Sequence, residues 1–326
     1  HIVAALLLAA EYLPPADQLK DPEGKPLTAR QIPGRGTAYA ILAGVYAWIA
    51  GYGQEPEYYA LGIEAAGKVI GDPNYRLVAS PEEVCTEVLP GNSEEGIFEV
   101  CYDDSRGEYK DFGSYIGGTV EKWPVLKGTT PASRRKFFIR NETVERLYTP
   151  EDLRLQAYFA DFFRMKEEPV SVTQGAAYVR MWREVEYYSG GIYDGTPRTL
   201  LANDILIRLP DILLLRAEMK AATGDREGAV ADLDVVRRRA GVAGYSEAEG
   251  DLRRAIQLER DRELLFQTGV RYFDYMRNHT YNLLKGGFRD LTETDVAAGA
   301  LFLPVSLDAM NNNPKVKQTA YWVGKF

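Results

Sequence analysis

Apolar residues recur at helical spacing in the first 80 residues of the chain and again beyond residue 203. The clearest stripe is Ala229, Leu233, Val236 and Ala240, which places four apolar side chains on one face of a helix. Asp204 to Arg208 reads as extended chain. Pro210 suits the start of a helix running to about Thr223, Gly224 stops it, Asp225 caps the next and Gly241 closes that one. Leu252 to Thr268 follows as a third long helix. Near the start, His1 to Leu13 reads as an amphipathic helix ended by Pro14-Pro15, with Ile2 to Ala10 as its buried face. Thr37 caps a helix through Gly51 whose buried side is Ile41, Leu42, Val45, Trp48 and Ile49. Glu57 to Ile70 is its partner, stopped by Gly71-Asp72-Pro73. Two helices joined by a short glycine-bearing turn, met twice, predict a mostly α chain of tetratricopeptide-like helix pairs in an α/α superhelix.

The character changes between roughly Asp72 and Asn203. Short alternating runs stand among Gly, Asn, Ser and Asp, and Ile97 to Tyr102 reads as a strand. Gly113 to Thr130 is loop. These shifts divide the chain into a scaffold over 1–80, a loop-rich insertion with a few short strands over 81–203, and a second scaffold part over 204–326. A long connection with little regular structure is generally functional or disordered, and its aromatic content favours function.

One feature breaks the hydrophobic pattern. The stripe Leu252, Ala255, Ile256 continues onto Glu259 and Glu263 before reaching Phe266. Carboxylates in core positions need charged or hydrogen-bonding partners. Arg260, Arg262, Arg271 and the run Arg237 to Arg239 are the candidates in sequence reach. The reading is an ion-pair network of Glu259, Arg260, Glu263, Arg271 and Asp274 that locks two helices, with Gly269 ending the first and Arg271 to Asp274 opening the second. The competing reading is a glycosidase carboxylate pair, since side chains at i and i+4 are neighbours.

The stretch Glu259 to Arg277 resembles the "ER..EL.fEG.R.fDl.R" signature of the SusD/RagB family, with Gln267-Thr268 departing from its usual Glu. Ile207 to Glu218 is similar to the family's "iiRyaEvlLmyAEA", and Asp232 to Val242 to its "lN.vR.RAGl". Ile97 to Tyr102 is similar to its "EiIfsi", and Tyr148 to Leu155 to its "DpRr" helix start, with Leu153 where Pro is usual. Leu301 to Ser306, Asn313-Pro314 and Gln318 match "lfpIP…NP.l.QNpGY", with Thr319-Ala320-Tyr321 departing from the ending. The resemblance implies non-catalytic binding of oligosaccharide on the outer face of a bacterial outer membrane, and delivery to a SusC-like TonB-dependent transporter. It also implies a lipid anchor on an N-terminal cysteine that lies outside this sequence. Within the family the cargo can be peptide instead of glycan.

Composition narrows the chemistry further. A net charge of -8 argues against nucleic acid and anionic membrane surfaces, which demand basic patches. No apolar run reaches the roughly 18 residues of a spanning helix. Cys85 and Cys101 lack the spacing and the neighbouring histidines of a metal site, and are either bridged or free and buried. His279 has no nucleophile or metal-ligand company and reads as structural. Asp103, Asp104, Glu108 and Asp111 depart from the calcium-loop spacing and read as a solvated face, as does the basic run Arg134 to Lys136. No nucleotide-binding, nucleophile-elbow or zinc-protease motif occurs, so no cofactor or metal is expected.

Sugars are bound by aromatic faces, and the chain carries 21 tyrosines. Those in expected loops are Tyr102, Tyr109, Phe112, Tyr115, Trp123, Tyr187, Tyr188 and Tyr193. Trp123 stands out because no helical stripe claims it. It either stacks on a ligand or pins the loop to the body. Tyr187, Tyr188 and Tyr193 flank Gly190-Gly191. Two further readings stay open: a tetratricopeptide adaptor that binds a protein or peptide in its helical groove, and the Glu259/Glu263 hydrolase.

Overall fold

The computed structural model describes residues 1–27, 30–102, 115–120, 122–130, 137–267, 270–284, 288 and 290–325, with 115 and 116 described by backbone alone. Three helices come first: α1 (Ile2–Tyr12), α2 (Arg35–Gly51) and α3 (Tyr58–Ile70). Short pieces then alternate: α4 (Pro81–Glu83), β1 (Gly96–Val100), α5 (Tyr115–Thr119), β2 (Ile139–Arg140), α6 (Asn141–Leu147), α7 (Leu153–Tyr158), α8 (Phe162–Met165) and α9 (Val170–Thr173). Four strands follow, β3 (Ala176–Ala177), β4 (Val185–Tyr187), β5 (Pro197–Leu200) and β6 (Asp204–Arg208). The chain closes with α10 (Leu209–Thr223), α11 (Arg226–Arg239), α12 (Leu252–Glu263), α13 (Val270–Arg277), α14 (Glu293–Ala297) and α15 (Leu307–Asn312). The fold is mostly helical with a few short strands, and α2/α3 and α10/α11 are its tetratricopeptide-like pairs.

Local chemistry sets the helix ends. Gly224 ends α10 at φ +88°, a conformation open to glycine, and Asp225 Oδ1 accepts from the Gly228 amide at 3.0 Å to start α11. Asp251 caps α12 in the same way through the Arg254 amide at 2.8 Å. The main core lies among α2, α3, α10, α11 and α12, where Ala43, Ala66, Val69, Leu214, Ala229, Leu233, Val236 and Ile256 are fully buried. Gly62 lets α3 and α10 approach closely, since a Cβ there would meet Met219 Sδ at 2.4 Å. A second core, with Val84, Val144, Tyr158, Phe159, Val179, Met181 and Trp182, lies under the short elements. Strand β1 pairs antiparallel with β6, with Val100 opposite Asp204 and Gly96 opposite Arg208. Strand β2 pairs with β3, and β4 with β5.

Several expectations need correction. Helix α2 buries Ala40, Leu42, Ala43, Tyr46, Ala47 and Ala50, while Ile41 is exposed and Val45, Trp48 and Ile49 are half-buried. This alanine-rich face packs against α3, where Gly62 makes room for Tyr46: a Cβ there would lie 3.3 Å from Tyr46 Cβ. The helix starts at Arg35, and Thr37 Oγ1 accepts from the Gly34 amide at 3.3 Å from inside the first turn. Helix α1 buries Ala10 alone and packs Val3 and Leu6 on the core, whereas Ile2, Leu7 and Leu8 are exposed. Helix α12 ends at Glu263, not at Thr268. The two cysteines form no disulfide with each other, Cys85 being buried and Cys101 exposed. Among the described residues no helix is long and apolar enough to cross a membrane.

Candidate functional site

A short antiparallel hairpin presents aromatic rings to solvent. Glu186 of β4 faces Thr199 of β5, and the connecting loop is closed by Tyr188 N to Thr196 O and Gly195 N to Tyr188 O, each 2.9 Å. Gly190, Gly191 and Gly195 all lie at positive φ, which bulkier residues adopt only with strain. Asp194 Oδ1 accepts from the Gly190 amide at 2.5 Å and closes the tip. This tight loop brings the Tyr188 and Tyr193 rings to 5.7 Å between centroids at 40°. The two side chains are 42% and 59% exposed.

The turn that carries Trp123 is built against this hairpin. Leu126 is buried in the second core, its amide donates to Lys122 O at 2.5 Å, and Thr129 Oγ1 donates to Leu126 O at 2.7 Å. Gly128, at φ +68°, sits so close to the hairpin that a Cβ would fall 2.0 Å from Gly195 O. The Trp123 turn and the Tyr188/Tyr193 tip therefore touch through glycine backbone. Trp123 itself is half-buried.

The remaining aromatics scatter. Tyr102 follows β1, and its hydroxyl donates to Asp204 Oδ2 at 2.8 Å, across the end of the β1–β6 ladder. Tyr187 is half-buried in β4 opposite Pro197. Tyr115 opens α5. Tyr109, Phe112, the acidic cluster from Asp103 to Asp111 and the basic run Arg134 to Lys136 lie outside the described residues. His279 stacks on Tyr52 at 6.1 Å with the rings parallel within 1°, and its Nε2 lies 3.1 Å from Gly51 O.

Glu259 and Glu263 are both fully buried and ringed by guanidinium groups. Glu263 Oε1 lies 2.6 Å from Arg208 Nη1 and also pairs with Arg239, while its Oε2 lies 3.3 Å from Arg154 Nη1. Glu259 Oε1 lies 2.7 Å from Arg154 Nη1, and its Oε2 meets Arg237 at 3.2 Å and Arg262 at 3.1 Å. Glu95 completes the knot, bridging Arg208 at 2.7 Å and Arg239 at 3.0 Å. Asp152 holds Arg154 from behind through two bonds of 2.9 and 2.8 Å. A second knot joins Arg260 to Asp274 and Asp211, each at 2.6 Å, and Arg277 to Glu218 and Asp274, each at 2.7 Å. Arg271 pairs with Asp261 at 3.0 Å.

Electrostatics argues against chemistry at this carboxylate pair. Burial pushes Glu263 toward the neutral form, but Arg239, Arg208 and Arg154 outweigh it and hold the group down at about 2. Burial likewise opposes ionisation of Glu259, and Arg154, Arg262 and Arg237 prevail to keep its pKa below the usual range. A glycosidase acid requires the opposite, a carboxyl kept protonated near neutral pH. Arg154, Arg208, Glu95 and Asp152 were absent from the sequence-based network. The available signals were the Asp-x-Arg spacing of Asp152 and Arg154, matching the "DpRr" pattern, and Arg208 at the arginine of the "iiRyaE" pattern.

A family model described as SusD family matches residues 94–322. Among solved structures, the chain is similar to a SusD homolog from Bacteroides thetaiotaomicron VPI-5482, at 23% identity and a TM-score of 0.79, covering 98% of this chain and 67% of that one. It is also similar to surface glycan-binding protein A from Bacteroides thetaiotaomicron in complex with laminarihexaose, at 19% identity and a TM-score of 0.66, covering 98% and 69%. A third is NanU from B. fragilis, at 18% identity and a TM-score of 0.62, covering 89% and 64%. The chain thus spans about two thirds of the length of these proteins. No curated protein matches it in sequence.

Proposed function

The chain belongs to the SusD family, and from that premise we propose that it is a non-catalytic glycan-binding protein of the outer cell surface. In this reading it captures oligosaccharides and passes them to a SusC-like TonB-dependent transporter, held at the outer membrane by a lipid. The observation that carries the glycan reading is the joined aromatic surface: Tyr188 and Tyr193, tilted together on a glycine tip, against the turn that bears Trp123. Tyrosine and tryptophan offer apolar faces to the C–H side of a sugar ring and polar tips to its hydroxyls. The absence of catalysis is supported by the state of Glu259 and Glu263, which are ionised, buried and fully engaged by arginine.

Affinity electrophoresis against a panel of plant and microbial polysaccharides, with laminarihexaose titrated alongside, tests the proposal. The best binder is then titrated against Trp123→Ala. Loss of a stacked aromatic costs at least about 2 kcal/mol, so affinity should fall roughly thirtyfold. Tyr188→Ala and Tyr193→Ala should weaken binding in the same direction. Binding that ignores all three substitutions would move the ligand off this surface, and release of reducing ends by the pure protein would overturn the non-catalytic reading.

A further inference from the structure

A cavity of about 470 Å³ opens beside the ion-pair network, with Arg237 and Arg262 of that network in its lining. Its walls are the α6–α7 connection, with Leu147, Thr149 and Glu151, and the α11–α12 connection, with Val242 and Ala243; Arg262 of α12 lines it too. That size falls within the range of small-molecule sites. The walls do not yield easily, because the arginines and carboxylates behind them hold one another in place. Asp152 is engaged by Arg154, and Glu249 receives both terminal nitrogens of Arg237 at 2.8 and 2.9 Å, so neither acid is free for a ligand. All three nitrogens of Arg237 lie on carboxylates, since its Nε donates to Glu259.

Three groups lining the cavity stay unengaged among the described residues. Arg262 donates through Nε to Leu147 O and through Nη1 to Glu259, which leaves Nη2 with no acceptor. Its charge is only partly offset, because Glu259 is shared with Arg154 and Arg237. Thr149 has a free hydroxyl on the surface, and Glu151 is an exposed carboxylate with no cation. The open capacity is thus a guanidinium nitrogen and a hydroxyl that donate, and one carboxylate that accepts.

We infer that this cavity is a second ligand site, for a hydroxylated carboxylate of the sugar-acid class. A carboxylate is the acceptor that best matches arginine, and a ligand hydroxyl supplies the donor that Glu151 needs. Among the described residues no aromatic side chain lines the space, so recognition rests on hydrogen bonds and fit. The site is independent of the aromatic tip and of the function assigned to it.

Calorimetric titration of the whole chain with glucuronate, glucose and acetate reads the inference. Glucuronate should bind saturably, at least about tenfold more tightly than glucose or acetate. Ala243→Trp, which fills the cavity from an exposed loop, should abolish that binding with the melting temperature unchanged. Arg262→Lys should weaken it at least about tenfold, since lysine keeps the charge but loses the planar fork. Thr149→Val removes only a surface hydroxyl and gives a second reading should Ala243→Trp fail to fold. Trp123→Ala and Tyr193→Ala should leave glucuronate binding as it was, which separates this site from the aromatic one. A glucuronate-ended oligosaccharide that binds more tightly than the free acid identifies a glycan end as the source, and equal affinity identifies the free acid. No saturable glucuronate binding, equal binding of glucose or acetate, or binding that survives both Ala243→Trp and Thr149→Val overturns the inference.

Discussion

Glu263 shows how one side chain can hold distant parts of the chain together. Its two oxygens meet guanidiniums contributed from 109, 55 and 24 residues away in sequence. Removing it would leave Arg208 and Arg239 buried with one carboxylate, Glu95, to share between them. Glu263→Ala is therefore expected to cost about 3–5 kcal/mol in urea denaturation, the range for breaking a buried pair from one side. The burial of this residue was legible in the hydrophobic stripe, because an acid in a core position demands a partner. The partners were not legible, since nothing in a linear pattern ranks the chain's many arginines by distance. Trp123 is the contrasting residue. No helical or strand pattern claimed it, and the structure leaves it half-buried in a turn. If it anchors ligand, Trp123→Ala lowers affinity with the melting temperature nearly unchanged. If it pins the turn, the melting temperature falls first, and a melt beside a titration on the same variant tells the two apart.

Element ends were set by contacts as much as by local sequence. The apolar spacing predicts that helix α12 runs to Thr268, since it continues through Phe266. Two carbonyls at its end are instead taken by side chains from elsewhere. The Tyr148 hydroxyl donates to Arg262 O at 2.8 Å and Arg208 Nη2 to Glu263 O at 2.5 Å, after which Phe266 turns at φ +56°. Orphan carbonyls at a helix end need such partners, and here they arrive from β6 and the segment after α6. Tyr148→Phe should accordingly destabilise by about 1–3 kcal/mol, the cost of an unpaired buried acceptor, measurable by chemical denaturation. The stop at Gly224 and the start at Asp225 needed no distant help, and α10 ends and α11 begins where those residues indicate. Gly128 links two elements in the same sense. Gly128→Ala would drive a methyl into Gly195 O, so the Trp123 turn and the tyrosine hairpin should separate. The expected result is a lower melting temperature together with weaker glycan binding, read by a melt and a titration on one sample.

At the scale of the molecule, the ion-pair network joins the main helical core to the segment between its helix pairs, through Arg154 on one side and Arg239 and Glu263 on the other. Its pH dependence follows from sign. Glu263 titrates at about 2 in the fold against an ordinary value of 4.5, so its contribution is complete above about pH 4.5 and is lost as pH falls toward 2. The difference corresponds to a few kcal/mol. Acid should lower the melting temperature steeply over that window, and Glu263→Gln should flatten the slope; an equal slope in the variant would assign the acid sensitivity elsewhere. The sequence by itself determined the helical class, the two helix pairs, the buried position of Glu259 and Glu263 and the family signature. These rest on short-range rules: apolar spacing, caps, glycine stops and residue order. Only the tertiary structure decided which face of α2 turns inward, where α12 ends, which arginines meet the buried acids, and that the Trp123 turn rests on the Tyr188/Tyr193 tip. Each of those depends on atoms far apart in the chain being brought within a few ångströms, and periodicity carries no information about that distance.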